Sequence, residues 1–293
     1  MKRRGNFNVF SAHAWYVPGV GGMFALLGFL VLGGLLGSLV TLIFSAVAGQ
    51  HAAMEYGMLL SYPLMFLPAM FYVAAQSRNR SIETGGFALD SSNFAPQKEW
   101  ACKALVVVGT IAAAFAIDAL AGVMPPMPEY LKQLLQGMTT GTLWVNFLLV
   151  SIMAPLCEEW LCRGMVLRGL LNSGRMKPVW AILISALFFA LIHANPWQAV
   201  PAFILGCLFG YVYYKTGSLW LTMLMHFTNN TLALAVSRIW PEAESWADVL
   251  GGHYWIFFVL ALVVLGLVIL AFSKIKPQSP SGNCDPVPAL FSE

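Results

Sequence analysis

Charged residues are scarce in this chain. Asp, Glu, Lys and Arg make up 10% of the 293 residues, whereas hydrophobic side chains make up 59%. Soluble globular domains carry roughly 25% charged residues. Residues 180–210 and 254–273 contain no Asp, Glu, Lys or Arg at all. This composition excludes a water-soluble domain, and it excludes a disordered chain, because disorder requires low hydrophobicity and high net charge.

Strong positive charge and dense cysteine are lacking as well. The formal net charge is only +3, which excludes a nucleic-acid-binding surface built on clustered basic residues. The five cysteines are scattered, which excludes a secreted domain held together by disulfides. We therefore expect most of the protein's surface to contact a lipid bilayer.

Long apolar runs are the main feature that is present. A helix that crosses the roughly 30 Å hydrocarbon core needs about 20 apolar residues. Eight apolar runs are separated by polar or Pro/Gly-rich breaks: residues 23–48, 56–75, 101–124, 142–161, 179–194, 199–214, 219–237 and 254–272. Residues 179–194 and 199–214 are short and also fit re-entrant segments. The predicted fold is all-α and polytopic, with about eight transmembrane helices.

Basic residues predict the orientation. On the eight-span pattern, thirteen of them fall before the first span, in even-numbered connections or after the last span. Two, Lys132 and Arg238, fall in odd-numbered connections. Cytoplasmic loops carry the excess of Lys and Arg, so both termini are predicted to be cytoplasmic.

The chain divides into five segments on this pattern. We expect a cytoplasmic segment at 1–22, three transmembrane helices at 23–141, a four-helix core at 142–237, an outer loop with the last helix at 238–273, and a disordered tail at 274–293. Within residues 125–141, leucines at helical spacing favour a short interfacial helix, and a plain loop is the alternative.

Two adjacent acids near the end of the fourth span need a physical reason. A charge at membrane depth costs about 2.5–3.5 kcal/mol on insertion scales. Glu159 and Arg163 are four residues apart with the acid first, the favourable order for a helical ion pair. Glu158 points about 100° away around the helix and has no evident partner, and Pro155 removes a backbone N–H one turn earlier.

Two later spans add polar residues at helical spacing. The fifth span carries Phe189-x-x-x-His193, and the seventh carries His226-x-x-x-Asn230. A lone histidine in a membrane helix is more often a hydrogen-bonded packing residue than a ligand. Here polar side chains from three apolar helices are satisfied together most easily in one water-filled cavity, so we predict that they enclose such a cavity.

Hydrolysis is the chemistry that such a cavity supports. A buried carboxylate can take a proton from water, and a neutral histidine can hold that water. A second histidine and an asparagine amide can donate to the oxyanion of a tetrahedral intermediate. The residues alone leave a second mechanism open, because Glu158, His193 and His226 could also supply three ligands to a zinc ion.

The three motifs resemble those of the CAAX-protease and bacteriocin-processing family of intramembrane proteases. They are Glu158-Glu159-x-x-x-Arg163, Phe189-x-x-x-His193 and His226-x-x-x-Asn230, in order, within residues 144–237. The resemblance implies a catalytic core at 142–237 in a membrane endopeptidase. It implies that Glu158 and His193 activate water while His226 and Asn230 bind the oxyanion. Members are often described as metalloproteases, and a metal-free glutamate mechanism has also been proposed.

Other functions remain as alternatives. The same Glu and His side chains suit a proton- or ion-coupled transporter, although the sequence lacks the internal repeat usual in secondary transporters. A non-catalytic immunity or scaffold protein is a third reading. For a protease we expect a membrane-embedded or lipid-anchored peptide substrate. Short loops and the lack of a eukaryotic sorting signal favour a bacterial inner membrane, which argues against a prenylated substrate.

Overall fold

A computed structural model describes residues 13, 16–80, 99–139, 141–173 and 175–277. These residues form helices joined by short connections, and none of them lies in a strand. The predictions for most of segment 1–22 and of tail 274–293 fall outside the described residues.

Ten α-helices follow one another along the described chain. They are α1 (Val20–Ala48), α2 (Gln50–Arg80), α3 (Glu99–Asp118), α4 (Glu129–Thr139), α5 (Leu143–Asn172), α6 (Pro178–Leu191), α7 (Pro196–Thr216), α8 (Leu219–Ile239), α9 (Trp246–Leu250) and α10 (Tyr254–Ser273). Short 3₁₀ turns at Ala119–Gly122 and Gly251–His253 complete them. Helix α4 lies within residues 125–141, for which a short interfacial helix and a plain loop were the two predictions.

All eight predicted apolar runs are largely helical, which confirms the all-α polytopic membrane fold. Five helical segments are long and apolar enough to cross a membrane: Val20–Ala48, Gln50–Ser77, Glu99–Asp118, Leu143–Asn172 and Trp246–Ser273. Helix α6 is apolar but has 14 residues, which gives a length of about 21 Å. The number of crossings therefore stays a prediction.

Glycines set the closest helix contacts. Helices α1 and α2 form an antiparallel pair, in which a Cβ at Gly33 would lie 2.1 Å from the carbonyl oxygen of Met65. A Cβ at Gly37 would lie 2.8 Å from the carbonyl oxygen of Ser61. The backbones thus approach to a distance that only glycine allows, as in other small-xxx-small membrane pairs.

Helices α6 and α7 form a second antiparallel pair. A Cβ at Gly206 would lie 3.1 Å from the Cα atom of Ala186, and a Cβ at Gly210 would lie 3.0 Å from a methyl group of Ile182. This pair places the carbonyl oxygen of Gly206 within reach of α5.

Helix α5 is the central element, and it is longer than predicted. It continues to Asn172 instead of ending near residue 161, and it contains two π-helical stretches, Phe147–Met153 and Trp160–Leu167. The continuation is possible because Arg168 is fully buried and donates to the carbonyl oxygens of Gly164 (2.7 Å) and His13 (3.1 Å). Arg168 is therefore buried inside the protein, although the eight-span pattern places it in the connection between residues 161 and 179.

Two buried apolar clusters hold the helices together. The larger one joins α1, α2, α5, α6, α7 and the start of α8, and it includes Phe66, Trp160 and Phe189. The smaller one joins α3, α7, α8 and α10. Apolar side chains on the outer faces of α1 and α10 stay exposed, as expected for surfaces that contact lipid.

Candidate active site

A cavity of about 710 Å³ lies between α1, α2 and α5–α8, and Leu135 of α4 also lines it. Most of its lining is apolar. The polar side chains in the lining are those of Tyr62, Glu158, His193, Gln198, His226, Asn229 and Asn230. Four residues singled out from the sequence thus come together: Glu158, His193, His226 and Asn230. The two others, Glu159 and Arg163, are fully buried and do not line the cavity.

Glu158 has a partner that the sequence did not indicate. The Tyr62 hydroxyl of α2 donates a hydrogen bond to Oε1 of Glu158. Oε2 of Glu158 is buried and has no hydrogen-bond partner among the described residues. The expectation that Glu158 lacks a partner was therefore wrong for one of its oxygens.

Glu159 lies behind the cavity and contacts both Arg163 and His226. Its Oε1 accepts from Nη1 of Arg163 at 2.8 Å and lies 3.0 Å from Nδ1 of His226. Nη2 of Arg163 donates to the carbonyl oxygen of Gly206 at 3.1 Å, and its guanidinium lies 4.5 Å from the ring centre of Phe189. The Glu159–Arg163 ion pair predicted from the i,i+4 spacing is present, and it orients His226.

His193 lies in a turn, not in the helix that was predicted to carry it. Helix α6 ends at Leu191, and the chain reverses through Ala194, whose φ is 54°, so that α7 can pack back against α6. The His193 backbone N–H bonds to the carbonyl of Ala190 and so leaves the carbonyl of Phe189 without that donor. Nδ1 of His193 lies 2.8 Å from this oxygen. Because a carbonyl only accepts, Nδ1 carries the proton, and Nε2 of the neutral ring is an acceptor.

Phe189 fixes the spacing of the two histidine rings. Its ring centre lies 5.0 Å from that of His193 and 5.5 Å from that of His226, and both contacts are nearly perpendicular. The first position of the second motif therefore packs between the cavity's histidines, which explains why an aromatic residue suits it.

Asn230 is positioned by an irregularity of α5. In the π-helical stretch the N–H of Ala154 bonds to the carbonyl of Leu149, five residues earlier. The next bond in this register would join residue 155 to Val150, and Pro155 has no N–H. The carbonyl oxygen of Val150 instead accepts from Nδ2 of Asn230 at 2.9 Å. Oδ1 of Asn230 accepts from the neighbouring Asn229 at 3.2 Å.

The zinc alternative does not fit these side chains as they are arranged. Within the described ranges, no three His, Cys, Asp or Glu side chains gather closely enough to hold a metal ion. A catalytic zinc ion needs three protein ligands around one point.

Sequence reasoning missed three polar residues of the cavity: Tyr62, Gln198 and Asn229. A tyrosine in an apolar run is usually an interfacial or packing residue, so Tyr62 carried no signal of its own. Asn229 carried a stronger signal, because two adjacent amides in an apolar helix are costly unless both are hydrogen-bonded.

The fold and the cavity define a class of protein. It is an integral membrane protein whose apolar α-helices enclose a cavity with polar side chains. Residues 140–232 match the protein family described as Type II CAAX prenyl endopeptidase Rce1-like. This range contains all three motifs. The match agrees with the resemblance to the CAAX-protease and bacteriocin-processing family that the motifs indicate.

A curated relative supports the same assignment. The chain is similar to the membrane-embedded CAAX protease MroQ of Staphylococcus aureus (strain USA300), with 30% identity over 99 residues. The similar region is 32% of this chain and 40% of that relative, so the match spans less than half the relative's length. No solved structure matches the chain significantly.

Proposed function

We propose that this protein is an intramembrane endopeptidase that hydrolyses a peptide bond of a membrane-associated protein or peptide. The observation that carries the proposal is the convergence of Glu158, His193, His226 and Asn230 on one cavity among apolar helices. These residues come from three motifs on α5, the α6–α7 turn and α8. The similarity of residues 140–232 to a family of CAAX prenyl endopeptidases supports the same function.

Glu158 is the general base in this mechanism. Its Oε2 takes a proton from a water molecule while the water oxygen forms a bond to the scissile carbonyl carbon. Nε2 of His193 accepts a hydrogen bond from the same water and holds it in line. The protonated Glu158 then gives its proton to the leaving amine as the C–N bond breaks, so the carboxylate is regenerated.

His226 and Asn230 are the proposed donors to the oxyanion of the tetrahedral intermediate. One N–H of Asn230 is engaged by Val150, which fixes the amide plane and leaves the second N–H to donate. Nδ1 of His226 is engaged by Glu159, so Nε2 donates when both ring nitrogens carry a proton. Glu159 holds Nδ1 of this ring, and Arg163 keeps Glu159 in place.

The surroundings of the cavity favour a substrate that reaches it from the bilayer. Val31 of α1 lines the cavity although 65% of its surface is exposed. Leu191 at the end of α6 also lines it and is 54% exposed. The cavity therefore borders the lipid-facing surface, as a membrane-anchored peptide requires.

The function is tested by comparing membrane proteomes of cells that carry the wild-type chain and cells that carry Glu158→Ala. The proposal predicts new protein termini that appear only with the wild-type chain, at equal membrane levels of both proteins. Identical termini in the two samples would overturn it.

We also propose a location in a bacterial inner membrane with both ends of the chain on the cytoplasmic side. The basic residues support this orientation, and the bias stays one-sided when the buried Arg168 is left out of the count. In a cysteine-free background, an impermeant thiol reagent should label Lys132→Cys in intact cells, whereas Lys177→Cys should need lysis. The reverse pattern would contradict the orientation.

A further inference from the structure

Tyr62 lies outside the segment that matches the family, yet it reaches the acid of the first motif. The matched segment begins at residue 140, and Tyr62 belongs to α2. Its hydroxyl donates to Oε1 of Glu158 across 96 residues of sequence. We propose that Tyr62 is a positioning residue that holds the Glu158 carboxylate for catalysis; this rests on the proposed role of Glu158 as the base.

The placement of Tyr62 is determined by the tight pairing of α1 and α2. Ser61 contacts Gly37 and Met65 contacts Gly33, so the α2 backbone is held against α1 on both sides of Tyr62. The Tyr62 ring also packs on Phe66, with 5.5 Å between ring centres. A residue held by backbone contacts and ring packing presents its hydroxyl in one place, which is what orientation of a base requires.

The hydrogen bond makes the two oxygens of Glu158 different. Oε1 accepts from Tyr62, while Oε2 has no partner among the residues that the structure describes. The Tyr62 hydroxyl is a donor, so its hydrogen bond restrains the rotation of the carboxylate. Oε2 is then the oxygen that takes the proton from water, and Tyr62 acts on the reaction only through Glu158.

A purely structural hydrogen bond is the competing explanation, because a buried carboxylate oxygen also needs a donor for stability. The two explanations differ in what the enzyme loses with the hydroxyl. A positioning residue affects the chemical step, so kcat falls while KM stays nearly constant. A structural residue lowers thermal stability and leaves the rate per folded enzyme unchanged.

The test compares three variants of the full-length protein in proteoliposomes, with a peptide that the proteome comparison identifies as cleaved. Tyr62→Phe removes only the hydroxyl. Tyr72→Phe is the matched control on the same helix, because Tyr72 packs on Tyr16 and Phe29 away from the cavity. Glu158→Gln reports on the proposed base itself.

We expect Tyr62→Phe to lower kcat by about 10- to 100-fold, the range for losing a hydrogen bond to a charged group. KM should stay near the wild-type value, and Tyr72→Phe should match the wild type in both constants. If Glu158→Gln is inactive but Tyr62→Phe keeps full kcat, the Tyr62 proposal is wrong and the function stands. If Glu158→Gln is fully active, the proposed base is wrong.

A second measurement needs no substrate. Infrared spectra of protein labelled with ¹³C-glutamate, taken as differences from Glu158→Gln, isolate the carboxyl band of Glu158. The band should move in Tyr62→Phe and stay in place in Tyr72→Phe, because only the first variant loses a donor to this carboxylate. A band that is unchanged in Tyr62→Phe would overturn the proposed hydrogen bond.

Discussion

The Nδ1 atom of His226 lies 3.0 Å from Oε1 of Glu159, and this oxygen also accepts from Arg163. One of two adjacent acids thus supports a cavity histidine from behind, while the other, Glu158, lines the cavity. Helix geometry separates the two carboxylates by about 100° around α5. Neighbouring residues of the same type therefore have different expected roles.

Glu159→Gln should destabilise the protein, because it leaves the buried Arg163 without its carboxylate. Breaking a buried ion pair on one side costs about 3–5 kcal/mol. Thermal unfolding in detergent should show a large decrease in the midpoint. Glu158→Gln is the control, since Glu158 has no cationic partner among the described residues, and its midpoint should stay close to the wild type. Equal midpoints for the two variants would argue against the assigned roles.

Asn230→Ala should lower kcat by about 10²–10³-fold if this amide donates to the oxyanion. Asn229→Ala removes an adjacent amide that lines the same cavity and donates to Oδ1 of Asn230. We expect its effect on kcat to be much smaller. Steady-state kinetics on both variants checks the assignment, and similar losses in the two would contradict it.

Gly33→Ala should separate α1 from α2, since the added Cβ would lie 2.1 Å from the Met65 carbonyl oxygen and 2.8 Å from its Cα. Backbone atoms cannot move aside as a side chain does, and overpacking costs about 1–3 kcal/mol or more. Gly28→Ala on the same helix meets no atom within 4 Å and is the control. Unfolding midpoints should fall for the first variant alone; a stable Gly33→Ala protein would show that the pairing is looser than described.

Ala194 has a left-handed backbone with φ of 54° directly after His193. Glycine adopts this conformation without strain, whereas a β-branched residue does not. Ala194→Gly should keep activity, and Ala194→Val should lower both stability and kcat because the turn that holds His193 is displaced. Stability and activity assays on the pair provide the check, and a fully active Ala194→Val enzyme would count against this turn geometry.

Much of the helix pattern was predictable because apolar run length determines where membrane helices form. The end of α5 was not, since the signal for a boundary at residue 161 came from the polar residues that follow it. Arg163 and Arg168 are satisfied inside the protein by Glu159 and by backbone carbonyl groups. Such partners depend on tertiary contacts that a single sequence does not display.

The cavity was predictable from the three motifs. The contacts that hold its polar side chains in place were only partly predictable. The i,i+4 spacing indicated the Glu159–Arg163 pair, but nothing local indicated that His226 would bind the same oxygen. Tyr62 lies on a different helix, and only the packing of α2 against α5 brings it to Glu158.

The most direct test of the account is the rate of peptide cleavage by the purified full-length protein with Glu158→Gln in proteoliposomes. This change keeps the shape of the side chain and removes the proposed base. The account predicts a loss of kcat of about 10²–10⁴-fold with an unchanged unfolding midpoint. Cleavage within a few-fold of the wild-type rate would contradict it.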